Sequence, residues 1–250
     1  MTPLSVIPVP FKDEILPGDS LPDKLLRALK QDKLSLKTGD ILIIKHKIVS
    51  KAEGQLINLD TVKPSRASRR WARLYKLDAR VTELALQQSV RIVRRKRGVL
   101  ITETAHGLVC ANSGIDVSNV NGGRHALLLP ADPDLSALEL QRALKKRLKL
   151  SIPVLITDTF GRPWREGLTE VAIGIAGLKA IHDDRGRRDP GGYVLRVSLE
   201  AVADELACAA GLVCGKLART PACIIRGFGY RPGRGRARDL IRPVATDLFR

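Results

Sequence analysis

The sequence predicts an α+β fold, on three observations. Apolar runs of strand length recur along the chain, leucine-spaced segments of helical length lie among them, and Gly, Pro and Asp turn residues punctuate both. Ser5 to Val9 is the first strand candidate. Leu21 to Gln31 (LPDKLLRALKQ) sets its leucines at helical spacing, and Thr38-Gly39-Asp40 then turns the chain into ILIIKHKIVS, which reads as a buried strand. From Pro64 to Arg97 a leucine-bearing helical pattern is laced with arginines and ends in RIVRRKRG. VLITETAHGLVCAN then reads as a β-hairpin with Ala105-His106-Gly107 at its tip.

Asp132-Pro133-Asp134 precedes a helix from about Leu135 to Leu148, with Ser136 and Glu139 at capping-box spacing. Lys145, Lys146 and Arg147 lie at its far end, where the helix dipole favours cations. The strand PVLIT comes next at 153–157, then a second apolar run, VAIGIAGL, at 171–178 and the polar loop HDDRGRRDPGG. VLRVSLEAVADELACAAGLVCGK reads as strand then helix, and PACIIRG at 221–227 as a last core strand. No internal repeat or long linker breaks the chain. The expected organisation is a single unit over residues 1–250, or two interleaved subdomains, with a distinct tail at 229–250 packed on it.

With 250 residues, 44% of them hydrophobic, the chain can bury a full core, so disorder is not expected. A formal charge of +17 makes polyanions plausible partners without choosing among them. A nucleic-acid surface would need basic residues on one face with aromatic stacking partners. Aromatic residues make up only 4% here and the arginines are dispersed along the sequence, so nucleic acid is unlikely. Cys110, Cys208, Cys214 and Cys223 each stand in apolar surroundings, without a CxxC pair or a histidine at zinc-ligand spacing, and read as buried thiols. The sequence shows no signal-peptide pattern and no apolar run of membrane-spanning length; no membrane partner and a reducing cytoplasm are the expectation.

The segment TDTFGRPWREGLTEVAIGIAGLKAI, residues 157–181, carries the most chemistry. A strand-like run delivers Asp158, Thr159, Arg162 and Arg165 into one Gly/Pro turn. Carboxylate and hydroxyl oxygens suit a hard cation such as Mg²⁺ or Mn²⁺, and planar arginine forks suit phosphate oxygens. The same residues also suit a capped turn with surface-paired arginines, and the segment alone does not decide. A second oxygen-rich cluster, Asn112, Asp116, Ser118 and Asn119, lies after the hairpin; Asp116 could complete a metal site with Asp158, or the cluster could be an ordinary Asx turn. Lys51 and Glu53 beside Gly54 offer either a phosphate-reaching lysine or a solvated turn.

Other chemistries are disfavoured. GLVCGKLAR has three residues rather than four between Gly211 and Gly215, and no Ser or Thr after Lys216, so it is not a phosphate loop of the Walker type. GFGYRPGRG, with Gly227, Gly229 and Gly233, does not sit between a strand and a helix as a dinucleotide fingerprint requires. His46, His106, His125 and His182 are scattered, and no nucleophile–base set can be assembled around them.

Taken together, GDILIIKHKIVSKAEG, ETAHGLVCANSGIDVSNV, LLPADPDLSA, ITDTFGRPWREGLTEVAIGIAG and VADELACAAGLVCGK resemble, block by block and in order, the coenzyme F-420:L-glutamate ligase family over about residues 39–227. The tail DLIRPVATDLFR resembles the end of bacterial members. The resemblance implies a GTP-dependent amide ligase that adds L-glutamate, then further γ-linked glutamates, to a deazaflavin precursor. Mn²⁺ or Mg²⁺, with two divalent ions expected, and K⁺ are the implied cofactors, and an intertwined homodimer of unusual α+β fold the implied assembly. Asp116, Asp158 and Thr159 match the family's metal-ligand positions. Lys51 and Asn119 match nucleotide contacts, His46 and Lys47 fall on the nucleotide side, and a further nucleotide stretch falls on Leu212 to Arg219, including Val213, Cys214, Gly215 and Lys216.

The N-terminal SVIPVPFKDEILPGD is longer than the family pattern, and nucleotide contacts there would fall on Ile7 to Pro10. The reductase domain fused to some members is not expected, since the chain stops at Arg250. On chemical grounds, Asp116 and Asp158 would act catalytically through metal while Arg162 and Arg165 clamp anionic groups. A related carboxylate–amine ligase acting on another acid stays open as an alternative, and a basic nucleic-acid-binding module more distantly.

Overall fold

Residues 3–117, 123–215 and 218–247 are described in a computed structural model of the chain. In chain order β1 (Ser5–Val9) and α1 (Leu21–Gln31) lead into β2 (Ile41–Lys45), α2 (His46–Ala52) and β3 (Leu56–Asn58). Helices α3 (Arg66–Tyr75) and α4 (Ala79–Gln87) precede β4 (Ser89–Lys96), β5 (Val99–Thr104), β6 (Val109–Ala111) and β7 (His125–Leu127). Then come α5 (Pro133–Leu148), β8 (Val154–Arg162), β9 (Arg165–Ala176), β10 (His182–Asp183), β11 (Leu199–Glu200), α6 (Val202–Val213) and β12 (Ala222–Arg226). The fold is α+β, as the sequence predicts.

The main sheet has the strand order β1-β12-β2-β8-β9. Only β2 and β8 run parallel; the other neighbours are antiparallel. Leu42, Ile44, Val154, Ile156 and Ile173 face one layer, where they pack with Leu25 of α1, Ile48 of α2 and Ala137, Leu140 and Leu144 of α5. Ile41, Ile43, Leu155, Ala172, Ile175, Cys223 and Ile225 face the other, against Ala203, Leu206 and Ala210 of α6. The continuous apolar run of β2 thus results from burial on both sides. Asp40 precedes β2 and is 1% exposed; its carboxylate accepts from Arg226 of β12 through Nε and Nη2, both at 2.8 Å, and fastens the two neighbouring strands at their ends.

A smaller assembly lies beside this sheet. Helix α4 and the pair β3-β7 share a small core of Leu59, Leu84 and Ala126, and α4 also packs against α3 and against the sheet β4-β5-β6. The expected hairpin is present as β5 and β6. The tail crosses back onto the molecule: Ala237 is buried, and its N–H donates to Asp134 Oδ1, which also accepts from Ile175 in β9.

Several expectations are corrected. ILIIKHKIVS is not one strand, because helix α2 begins at His46; short apolar runs do not distinguish strand from helix until the facing layer decides. RIVRRKRG does not continue the helical pattern; its first six residues, Arg91 to Lys96, belong to strand β4, paired with β5. The α5 cap is Asp132, whose side chain accepts from Leu135 N, rather than Ser136 with Glu139. Of VLRVSLE only Leu199–Glu200 is strand. Cys208 is exposed, not buried: its thiol meets the Glu170 carbonyl on the edge strand β9, beside the apolar face that Leu206, Ala207 and Ala210 bury.

Candidate functional site

Strands β2 and β8 run side by side toward the same edge, with Lys45 opposite Thr157. The residues next along each chain therefore leave the apolar part of the sheet at one place: His46 and Lys47 after β2, Asp158 and Thr159 in the second half of β8. Asp158 and Thr159 are strand residues and do not sit in the Gly/Pro turn expected from sequence, because β8 continues to Arg162. Successive strand residues point to opposite faces, so the two side chains look into different layers.

On the α5 face, Asp158 Oδ1 lies 3.2 Å from His46 Nε2 and accepts from the backbone N–H of Thr159 at 2.7 Å. His46 is buried, and its other ring nitrogen, Nδ1, is 3.3 Å from Ser50 Oγ, one turn along α2. The ring is thus fixed from both sides. Cys110 of β6 stands nearby: burial, with Asp158's negative charge in second place, pushes its thiol up to about 12, which leaves it inert.

Lys47 forms an ion pair with Asp116. Asp116 is set in place by backbone hydrogen bonds to and from Leu127 at 3.0 and 2.8 Å. The turn before it, Asn112–Gly114, is structural. Asn112 and Ser113 both take φ near +50°, Asn112 Oδ1 accepts from Leu100 N, and buried Ser113 donates to Ala85 O at 2.7 Å.

On the α6 face the structure assembles residues that the sequence did not single out. Glu170 of β9 is the cross-strand partner of Thr159, whose hydroxyl donates to Glu170 Oε1 at 2.8 Å. Lys45 forms an ion pair with the same oxygen. The other oxygen, Oε2, is buried with no partner among the described residues, as is Thr157 Oγ1 on the same face. Helix α6 is shaped around this carboxylate: a Cβ at Gly211 would stand 2.6 Å from Glu170 Cγ. One turn earlier, Cys208 donates to the Glu170 carbonyl at 3.2 Å.

The remaining expected residues lie further off. Lys51 pairs with Glu14 at 3.1 Å. Arg162 and Arg165 face each other at the β8–β9 hairpin tip, about 13 Å along the strand from Asp158 at ~3.3 Å per residue. Arg165 is exposed, whereas Arg162 folds back to donate to Glu166 O at 2.8 Å. In the expected nucleotide stretch Leu212 is 87% exposed, Val213 half-buried, Cys214 buried and Gly215 exposed at the end of α6. Asn119 and Lys216 lie outside the described residues, as does Ser118. One trio of possible metal ligands, His182, Asp184 and Glu200, lies elsewhere, and there Asp184 already pairs with Arg187.

The sequence that carries these side chains is similar to that of known proteins. The family described as F420-0:Gamma-glutamyl ligase matches over residues 12–227, a span that holds Lys45, His46, Lys47, Asp116, Asp158, Thr159 and Glu170. The chain belongs to this family. It is 42% identical to the coenzyme F420:L-glutamate ligase of Methanopyrus kandleri over 252 aligned residues, covering 99% of this chain and 98% of the relative. It is 43% identical to the enzyme of the same name from Methanothermobacter thermautotrophicus, covering 93% of each, and 39% identical to that of Methanocaldococcus jannaschii, covering 86% of each. Membership in the F420-0:gamma-glutamyl ligase family makes the chain a ligase. Among the described residues no helix is long and apolar enough to cross a membrane.

Glu170 and Lys45 were missed from sequence for a definite reason. Each is one polar residue at the edge of an apolar run, and what joins them to Thr159 is the β2-β8-β9 register, which pairing alone reveals. The faint signal available was a lone glutamate at the head of VAIGIAG.

Proposed function

We propose that this chain joins L-glutamate by an amide bond to the deazaflavin precursor of coenzyme F420, at the expense of GTP, and that later glutamates add in γ-linkage. The observation that carries this reading is the convergence of Asp158, Thr159, Glu170, Lys45, His46 and the Lys47–Asp116 pair where the apolar parts of β2 and β8 end. The match to glutamate ligases over nearly the whole chain supports it.

The chemistry is set by the groups present. The terminal carboxylate of the precursor attacks the γ-phosphorus of GTP, breaking the bond to the β–γ bridging oxygen and giving an acyl phosphate and GDP. The glutamate amine then attacks the acyl carbon, loses a proton and expels inorganic phosphate. Such transfers need positioning and charge neutralisation more than a protein nucleophile. Lysines 45 and 47 supply fixed positive charge, and the net charge of +17 draws the three anionic substrates.

The donor set fits Mn²⁺ or Mg²⁺: the carboxylate of Asp158 on the α5 face, that of Asp116 beside Lys47, and Thr159 with the Glu170 oxygen unpartnered among the described residues on the α6 face are all hard oxygen ligands. Because Asp158 and Thr159 face different layers, their side chains suit two ions rather than one. Bound divalent ions would neutralise phosphate charge as it shifts during transfer. His46 orients the Asp158 carboxylate. The nucleotide contacts expected on Lys51, Asn119 and 212–216, the use of K⁺, the homodimer, and anion clamping by Arg162 and Arg165 belong to the same proposal. Arg162 would have to release Glu166 O to take part.

Asp158→Asn tests the site. Glutamylation should fall at least about 100-fold, as for loss of a principal charge-stabilising contact, with an unchanged circular dichroism spectrum. Wild-type turnover in that variant would remove Asp158 from the mechanism.

A further inference from the structure

We propose that Glu170 is a divalent-cation ligand on the α6 side of this site, acting with Thr159 and held in readiness by Lys45. The inference deepens the ligase reading and rests on it. Its starting point is an asymmetry within one carboxylate. Oε1 receives both the Thr159 hydroxyl and the Lys45 ammonium, while Oε2 is buried and receives nothing among the described residues. The side chain is only 9% exposed, which keeps bulk solvent from that oxygen. A buried carboxylate oxygen without a donor is costly, and one such oxygen beside a satisfied twin marks a place where a positive group belongs in the working state.

The surroundings are built to hold that oxygen in place. Gly211 leaves the space in which Glu170 Cγ lies, since a Cβ there would come within 2.6 Å. Cys208, one helical turn away, ties the Glu170 backbone carbonyl to α6 at 3.2 Å. Thr157 Oγ1, also buried and unpartnered among the described residues, projects from β8 on the same face, two residues before Thr159. Hydroxyl and carboxylate oxygens in this number suit a hard divalent ion better than an ammonium, which would have to share the pocket with Lys45. Lys45 neutralises the carboxylate until the ion arrives, and competes with it.

That competition gives the test two signs. Mn²⁺ is titrated into the whole protein, with and without GDP, and binding is read by electron paramagnetic resonance. Glu170→Gln keeps the shape and should weaken one class of Mn²⁺ site at least tenfold while leaving the Asp158-dependent class intact. Lys45→Gln should tighten the same class, a change that a merely structural carboxylate would not produce. If both variants bind Mn²⁺ as the wild type does, the assignment of Glu170 is overturned and the ligase reading stands. If the wild type binds no Mn²⁺ with GDP present, the metal reading of the whole site fails with it. Should Glu170→Gln not fold, the Lys45→Gln affinity alone decides, unchanged affinity counting against the proposal.

Discussion

At position 211 one hydrogen atom decides what its helix can do. Glycine inside a helix costs about 1 kcal/mol relative to alanine, so Gly211→Ala would ordinarily stabilise α6. Here the added methyl would meet Glu170 Cγ at 2.6 Å, and the carboxylate, its threonine and its lysine would have to shift together. Gly211→Ala should therefore lower glutamylation at least tenfold with no gain in melting temperature; full activity with a raised melting temperature would mean that the Glu170 slot has no role. Asp158 and Asp116 were legible as oxygen-bearing residues in Gly-punctuated segments. Which layer each faces was not, because that depends on strand alternation continuing past the apolar run. His46 had no sequence context marking it, and its meeting with Asp158 arises only from the parallel pairing of β2 with β8.

Elements show the same division between what local pattern fixes and what tertiary contact decides. Helix α1 and the β5–β6 hairpin obey their sequence patterns closely, since leucine spacing and a Gly-bearing turn are local signals. The β2–α2 junction does not, because a run that is apolar throughout carries no period. Helices α3 and α4 are joined by a device the sequence does not advertise. Glu83 of α4 accepts from the backbone N–H of Ser65, the α3 cap, and from the hydroxyl of Ser68. The Ser65 and Ser68 hydroxyls hold the Glu83 carboxyl down to about 2 from an ordinary 4.5. Its folded value lies below its unfolded one, so its contribution to stability is complete above about pH 5 and is lost as pH falls from there toward 2. The melting-temperature difference between wild type and Glu83→Gln should be largest at pH 6 and shrink toward zero near pH 2. A difference that stays constant across that range would show that the carboxylate charge is not what links the helices.

The molecule as a whole turns two packed layers into two sides of one site. The α5 layer presents Asp158 with His46, and the α6 layer presents Thr159 with Glu170 and Lys45, so each layer's core sets the position of its own oxygen-bearing side chains. The positive charge has its own arrangement: Arg66, Arg69, Arg70 and Arg73 of α3 and Arg94, Arg95 and Lys96 of β4 are exposed residues of two elements that both pack against α4. Asp134 at the start of α5 holds both β9 and the tail through one carboxylate oxygen. Centrally, the oxygen ligands and lysines gathered by β2 and β8 serve nucleotide-driven ligation of glutamate in the function proposed for this chain. That claim is tested most directly by mass spectrometry of the deazaflavin precursor after incubation with the protein, L-glutamate, GTP and Mn²⁺, beside a matched reaction without GTP. The expected result is a mass gain of one glutamyl residue, with further additions at longer times, only where GTP is present. No gain with GTP, or an equal gain without it, would contradict the claim.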